Sequence, residues 1–146
     1  MNHLKLCIVI LITFFLSNNL TALCVKAKTA NLRAGPSTRS EKTWEVYQYT
    51  PLKKVGYKNN WYKVEDVDGD SHWIYASLVT DNYYCAVVKT AKATVRLKPR
   101  ISKSTFIAIV EKYYSFKYLA RKGKWAKVED EDGNVFWIYR SLIWVH

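Results

Sequence analysis

The side chains that could do acid, base or metal chemistry are few. His3 stands near the N-terminus, His72 is alone beside Trp73, and His146 is the last residue. No histidine, cysteine and acid therefore fall into an evident nucleophilic set. In "DVDGD" the acids Asp66, Asp68 and Asp70 alternate, which invites a metal reading. An EF-hand calcium loop, however, places Gly sixth and a Glu twelfth, whereas Gly69 is fourth and no matching Glu follows. Acids at a hairpin tip fit better, because Asp favours turns and Gly supplies positive φ there. The sequence predicts a non-enzymatic chain with no catalytic residue, no metal and no cofactor.

Binding chemistry is better provided for, because the chain holds 11 Tyr, 6 Trp and 5 Phe. Trp73 and Tyr75 flank Ile74, and if Ile74 points into a core the two-residue strand period turns both rings outward. Neighbouring exposed rings make a groove for extended peptides or sugars. Trp137 and Tyr139 repeat the pair, while Tyr47 and Tyr49, also two apart, are candidates for another wall. Trp61 and Trp125 read instead as barrel-packing residues, since large rings hold small cores together.

The elements that must position these rings occur twice. "NWYKVEDVDGDSHWIYASLV" returns as "KWAKVEDEDGNVFWIYRSLI", identical at 12 of 20 positions, and this repeat splits the chain into two small modules. The offset is 63 at Leu32/Val95 and Pro36/Pro99 but 64 from Trp61/Trp125 onward, so one residue was inserted in a loop between. In the first copy "AKTANLR" reads as a strand and "AGPSTRSEK" as a turn-rich loop. "WEVYQYTP", "LKKVGYK" and "WYKVED" follow as strands, with "NN" a two-residue turn and Asp68-Gly69 a hairpin turn. "ASLV" ends the unit as one helical turn and a last short strand. Five or six such strands in roughly 60 residues predict an all-β unit that limits its open edges by curling on itself.

These units resemble the bacterial SH3-like domain, on the strength of "NLRAGPST", "NWYKVED" and "DGDSHWIYASLV". The resemblance covers residues 24–146 as two copies, although Lys98 stands where the first copy has Gly35. It implies tandem SH3-like barrels over 23–80 and 85–146, joined by a linker at 81–84. It also implies recognition of cell-wall peptide or of an envelope protein, in grooves between the long first loop and the aromatic hairpin. A structural interaction platform, or a targeting subunit for a cell-wall enzyme on another chain, is the alternative. In such a barrel the first and last strands lie close together, which implies a disulfide between Cys24 and Cys85. At the offset of 63 these cysteines are not equivalent, Cys24 matching Val87 and Cys85 matching Ala22. Two buried apolar thiols are the rival reading.

Ahead of the units, Lys5 precedes an apolar run from Leu6 to Leu16 and then the polar "SNNLTA". That is the layout of a secretory signal peptide over residues 1–22, cleaved after Ala22. The run is too short to span a membrane, and Leu23 before Cys24 argues against a lipid anchor. The mature chain is expected in the periplasm or cell envelope without a stable membrane span, where Cys24 and Cys85 can oxidise. The formal charge of +11 is unevenly shared: residues 24–80 hold 9 basic and 6 acidic side chains, whereas 85–146 hold 13 and 5. Arg96, Lys98, Arg100 and Lys103 in one loop, and Arg121, Lys122 and Lys124 in another, are the anion-binding candidates. Nucleic acid is disfavoured by export and by type, since 17 of the 23 basic residues are Lys, a point charge rather than a bidentate reader of bases.

Overall fold

The computed structural model describes residues 22–146, so the signal-peptide expectation lies, except for Ala22, outside the described residues. Two seven-stranded antiparallel sheets make up the fold. The first contains β1 (Ala22–Val25), β2 (Thr29–Arg33), β3 (Lys42–Tyr47), β4 (Pro51–Lys58), β5 (Trp61–Glu65), β6 (Ser71–Tyr75) and β7 (Val79–Thr80), ordered β3-β2-β6-β5-β4-β1-β7. The second repeats it with β8 (Cys85–Val88), β9 (Lys92–Arg96), β10 (Phe106–Glu111), β11 (Ser115–Lys122), β12 (Trp125–Glu129), β13 (Val135–Tyr139) and β14 (Ile143–Val145), ordered β10-β9-β13-β12-β11-β8-β14. A single 3-10 turn, Ala76–Leu78 or Arg140–Leu142, leads into each last strand.

The strand count exceeds the expected five or six because β1 and β8 open each unit. Cys24 accordingly lies inside the first strand. Each sheet wraps one apolar core, centred on Leu32, Leu52, Val64 and Ile74 in barrel 1 and on Val95, Phe116, Val128 and Ile138 in barrel 2. The cores trade volume at one ladder pair. Leu23 faces Leu52 in barrel 1, while the equivalent pair in barrel 2 is Ala86 and Phe116. One side chain shrinks as its partner grows, the kind of exchange a packed core tolerates best.

Irregularities repeat as well. Val55 in β4 and Leu119 in β11 are the extra residues of matching bulges, and Thr43 and Ile107 are extra in β3 and β10. The loop closures locate the inserted residue. Ala34 N–H donates to the Glu41 carbonyl, whereas Leu97 N–H donates to that of Thr105, an offset that has already passed from 63 to 64. Gly69 and Gly133 take φ of 85° and 83° at the two hairpin tips, and Asn59 and Asn60 take positive φ in the two-residue turn.

Candidate functional site

In barrel 1 a groove of about 290 Å³ runs between the long β2–β3 loop and the hairpin strands. Trp61 and Tyr75 form one wall, their ring centroids 5.5 Å apart and nearly edge to face. Arg33, Thr38 and Glu45 supply polar groups opposite. Arg33 also fixes the loop, since its guanidinium donates to the Ser40 carbonyl at 2.9 Å.

This arrangement revises the sequence assignments. Ile74 is buried and Tyr75 is 41% exposed, but Trp73 pairs with Arg33 and Lys63, is half-buried, and does not line the groove. Trp61, expected in the core, is 7% exposed yet stands outside the core cluster. Strand period explains it: Tyr62 and Val64 face inward, so Trp61 shares the outer face with Lys63. Trp125 is likewise outside its core and stacks on Tyr139 with centroids 4.1 Å apart; Trp137 and Tyr139 are half-buried.

Tyr47 and Tyr49 do not form one wall. Tyr47 ends β3 and is 59% exposed, whereas Tyr49 sits in the following turn at φ 67° and packs edge-on against Tyr83. Tyr113, its counterpart, has φ 72°. Positive φ is rare for bulky residues, and here the Tyr49 ring meets Tyr83 of the linker while the Tyr113 ring crosses the seam between the barrels to Trp44.

That seam is well tied. Cys24 and Cys85 are disulfide-bonded with Cα atoms 5.8 Å apart, joining β1 to β8. Lys112 Nζ donates to Asp68 Oδ1 at 2.8 Å, Tyr113 Oη to Asp68 Oδ2 at 2.7 Å, and Ser115 Oγ to the Gln48 carbonyl at 2.7 Å. Trp44 packs edge-on against Tyr113 with centroids 4.8 Å apart. The Lys112 and Tyr113 bonds hold the Asp68 carboxyl below its ordinary range. Between the barrels these ties frame a cleft of about 480 Å³. Trp44, Tyr47, Tyr113 and Tyr114 line it together with Glu45, Asp66, Glu111, Lys112 and Glu131. Neither sequence copy alone carries a signal for this cleft.

His72 is not alone. A carboxylate only accepts, so Nε2–H donates to Asp66 Oδ2 at 2.9 Å, and Nδ1 meets the Thr43 hydroxyl at 2.8 Å. Asp66 Oδ1 also accepts from the N–H groups of Asp68 and Asp70, as the hairpin-tip reading requires. Thr43 lines neither cleft, so the chain pins the hairpin to β3. Asp130 repeats the turn, with Asn134 in the place of the imidazole partner. Among the described residues no group of three or more His, Cys, Asp or Glu could hold a metal ion.

The basic candidates divide by role. Lys98, Arg100 and Lys103 are exposed on the β9–β10 loop, and Arg121, Lys122 and Lys124 at the β11–β12 turn. Arg96 instead donates to the Ser102 carbonyl at 3.0 Å and holds its loop as Arg33 does in barrel 1. Ile101 on that loop exposes 67% of its surface, and Phe106, Ile107 and Ile109 along the edge strand β10 expose 49%, 43% and 57%.

Two antiparallel barrels, each with a long first loop over an aromatic hairpin, define a tandem small-barrel protein. The sequence matches the bacterial SH3 domain over residues 26–81 and 89–145, and the chain belongs to that family. No curated protein matches it. Solved structures similar to it include NlpC1 and NlpC2 from Trichomonas vaginalis and an NlpC/P60 family protein from Bacillus cereus. These are 12%, 14% and 12% identical with TM-scores of 0.36, 0.35 and 0.39. The matches cover 84%, 85% and 86% of this chain and 45%, 47% and 56% of those chains, so the chain spans about half their length.

Proposed function

We propose that this chain is a non-enzymatic binding module of the cell envelope that recognises cell-wall peptide. The observation that carries the reading is the barrel 1 groove, where the exposed ring of Tyr75, backed by the mostly buried Trp61, shares the lining with Arg33, Thr38 and Glu45. Rings with a few convergent polar groups suit an extended peptide, because the rings supply contact area and the polar groups set direction. Export is supported by the disulfide, which persists in oxidising compartments, and by the signal-like layout of residues 1–22. Among the described residues no helix is long and apolar enough to cross a membrane. Co-sedimentation of the oxidised mature protein with insoluble peptidoglycan tests it. Tyr75→Ala is expected to lower the affinity about tenfold, the loss of one ring contact, while the barrel stays folded, since losing the edge-to-face pair with Trp61 costs only about 1 kcal/mol of stability. Binding indifferent to Tyr75 removes the groove from the account.

The exposed apolar edge of β10 favours a second reading, a platform for another envelope protein such as a cell-wall enzyme. In that case Ile107→Asp with Ile109→Asp abolishes capture of the protein partner and spares peptidoglycan binding. Equal loss of both would assign the edge to the peptide instead.

A further inference from the structure

The cleft between the barrels carries a charge pattern opposite to that of the whole molecule. The chain has a formal charge of +11, yet four carboxylates and one ammonium line the cleft. Several are already compensated. Lys112 is paired with Asp68 at 2.8 Å, Glu45 with Lys42 at 3.0 Å, and Asp66 with His72 and two backbone N–H groups. Glu111 and Glu131 have no ion pair within 4 Å among the described residues. The charges of Asp130, Glu131 and Asp132 reach Tyr114 across the cleft wall and, after burial, add to the rise of its phenol pKa.

Aromatic faces accompany these free carboxylates. Tyr47 and Tyr114 are 59% and 43% exposed, and both line the cleft with Trp44 and Tyr113. Ring faces attract cations, and a neighbouring carboxylate adds direct pairing. An anion would meet repulsion from Glu111 and Glu131, and a neutral apolar ligand would bury them unpaired. The disulfide and the Asp68–Lys112–Tyr113 contacts hold the walls in place before any ligand arrives, which lowers the ordering cost of binding.

We propose that the inter-barrel cleft is a second binding site, distinct from the hairpin groove, that takes a primary ammonium group on an extended peptide. The ammonium lies between Glu111 and Glu131, and Tyr47 and Tyr114 cover its alkyl stem. The site is built jointly by the two barrels, so neither repeat alone possesses it. It does not depend on the hairpin groove reading.

The test uses the full mature chain with its disulfide intact and two probes. One is acetyl-Ala-Lys-Ala-amide, and the other is the same peptide acetylated on the lysine side chain. Amide chemical shifts locate binding, and titration gives affinity. The free amine is expected to shift residues of β3, the β10–β11 turn and the β12–β13 tip. Acetylation, or Glu111→Gln with Glu131→Gln, is expected to weaken it about tenfold, and Tyr47→Ala several-fold. Both carboxylates are exposed, so the Gln variant should keep the wild-type melting temperature, which confirms an intact fold. Equal affinity for the two peptides, insensitivity to the Gln variant, no detectable binding, or shifts confined to Trp61 and Tyr75 each overturn the proposal. The last outcome would leave the hairpin groove standing while the cleft falls.

Discussion

Edge strands β3 and β10 occupy the same place in equivalent sheets, yet they present opposite surfaces. In β3 the outward residues Lys42 and Glu45 form an ion pair at 3.0 Å. The corresponding residues of β10 are Phe106 and Ile109, and the bulge residue Thr43 becomes Ile107. Inward, the two barrels agree in core position, bulge and hairpin turn, and at one ladder pair, Leu23/Leu52 against Ala86/Phe116, volume passes from one partner to the other. Duplication therefore preserved what folding needs and released the outer positions. Barrel 1 kept a polar edge and a ring-lined groove, while barrel 2 acquired an apolar edge and most of the charge.

The disulfide sharpens this comparison most. Its closed loop, with a sequence separation of 61, encloses barrel 1 almost entirely and leaves barrel 2 outside. On the chain-entropy account such a loop stabilises the folded state by about 4 kcal/mol. Reduction, or Cys24→Ser with Cys85→Ser, is expected to lower the unfolding transition of barrel 1 and leave that of barrel 2 nearly in place. Calorimetry of the two forms decides it. A shift of equal size in both barrels would mean that they unfold as one unit through the seam.

The hairpin tryptophans give the next largest contrast. Trp61 is 7% exposed and Trp125 half-buried, so Trp61→Ala is expected to cost about 3 kcal/mol and Trp125→Ala about half of that. Both rings lie outside the cores, which places Trp61 at the low end for a buried ring. Urea midpoints of the two variants compare them directly. Equal costs would show that the stacked Trp125–Tyr139 pair supports barrel 2 as strongly as burial supports Trp61.

Much of this architecture was legible in the residues. The alternation around Ile74 and the Asp68-Gly69 turn announce a hairpin because one face of each strand is solvated. The outward face of Trp61 was also readable, from its two-residue spacing to Lys63, although ring size suggested core. β1 and β8 were not, because "LCV" and "CAVV" are buried at every position and show no alternation. Nor was the turn at Tyr49, since "VYQYT" contains no Gly or Pro and positive φ is rare for a tyrosine. The inter-barrel cleft escaped for a different reason: its walls come from both copies and meet only after the barrels dock.

Charge separates the barrels more weakly and in a salt-dependent way. A polyglutamate probe is expected to bind through Lys98, Arg100 and Lys103 or through Arg121, Lys122 and Lys124, all exposed on barrel 2. Binding should fall about tenfold as ionic strength rises and the screening length drops below about 10 Å. Replacing the three loop cations by Ala tests the first group and leaves Arg96 on its loop carbonyl. Binding that persists at high salt, or that survives loss of both groups, would assign the contact to apolar surface such as β10.

The smallest effect concerns the seam itself. His146 exchanges backbone hydrogen bonds with Cys85, its ring stacks on Trp144, and its Nε2 is buried without a hydrogen-bond partner. Burial, and next the charge of Lys53 in barrel 1, hold its pKa below the ordinary value, with a backbone hydrogen bond opposing. The folded state then binds fewer protons than the unfolded one just below the unfolded imidazole value of about 6.5. Stability from this group is complete above that pH and is lost as the pH falls toward the depressed folded value. The ring is partly exposed, so screening keeps the change small. Urea midpoints across this window, compared with those of His146→Phe, isolate the contribution from carboxylates that titrate lower. The variant should show a flatter profile, and a profile as steep as that of the wild type would place the pH sensitivity elsewhere. Lys53→Gln supplies the inter-barrel part: if it raises the His146 pKa seen by NMR, the charge of barrel 1 is felt at the end of barrel 2, and an unmoved pKa would leave burial as the sole cause.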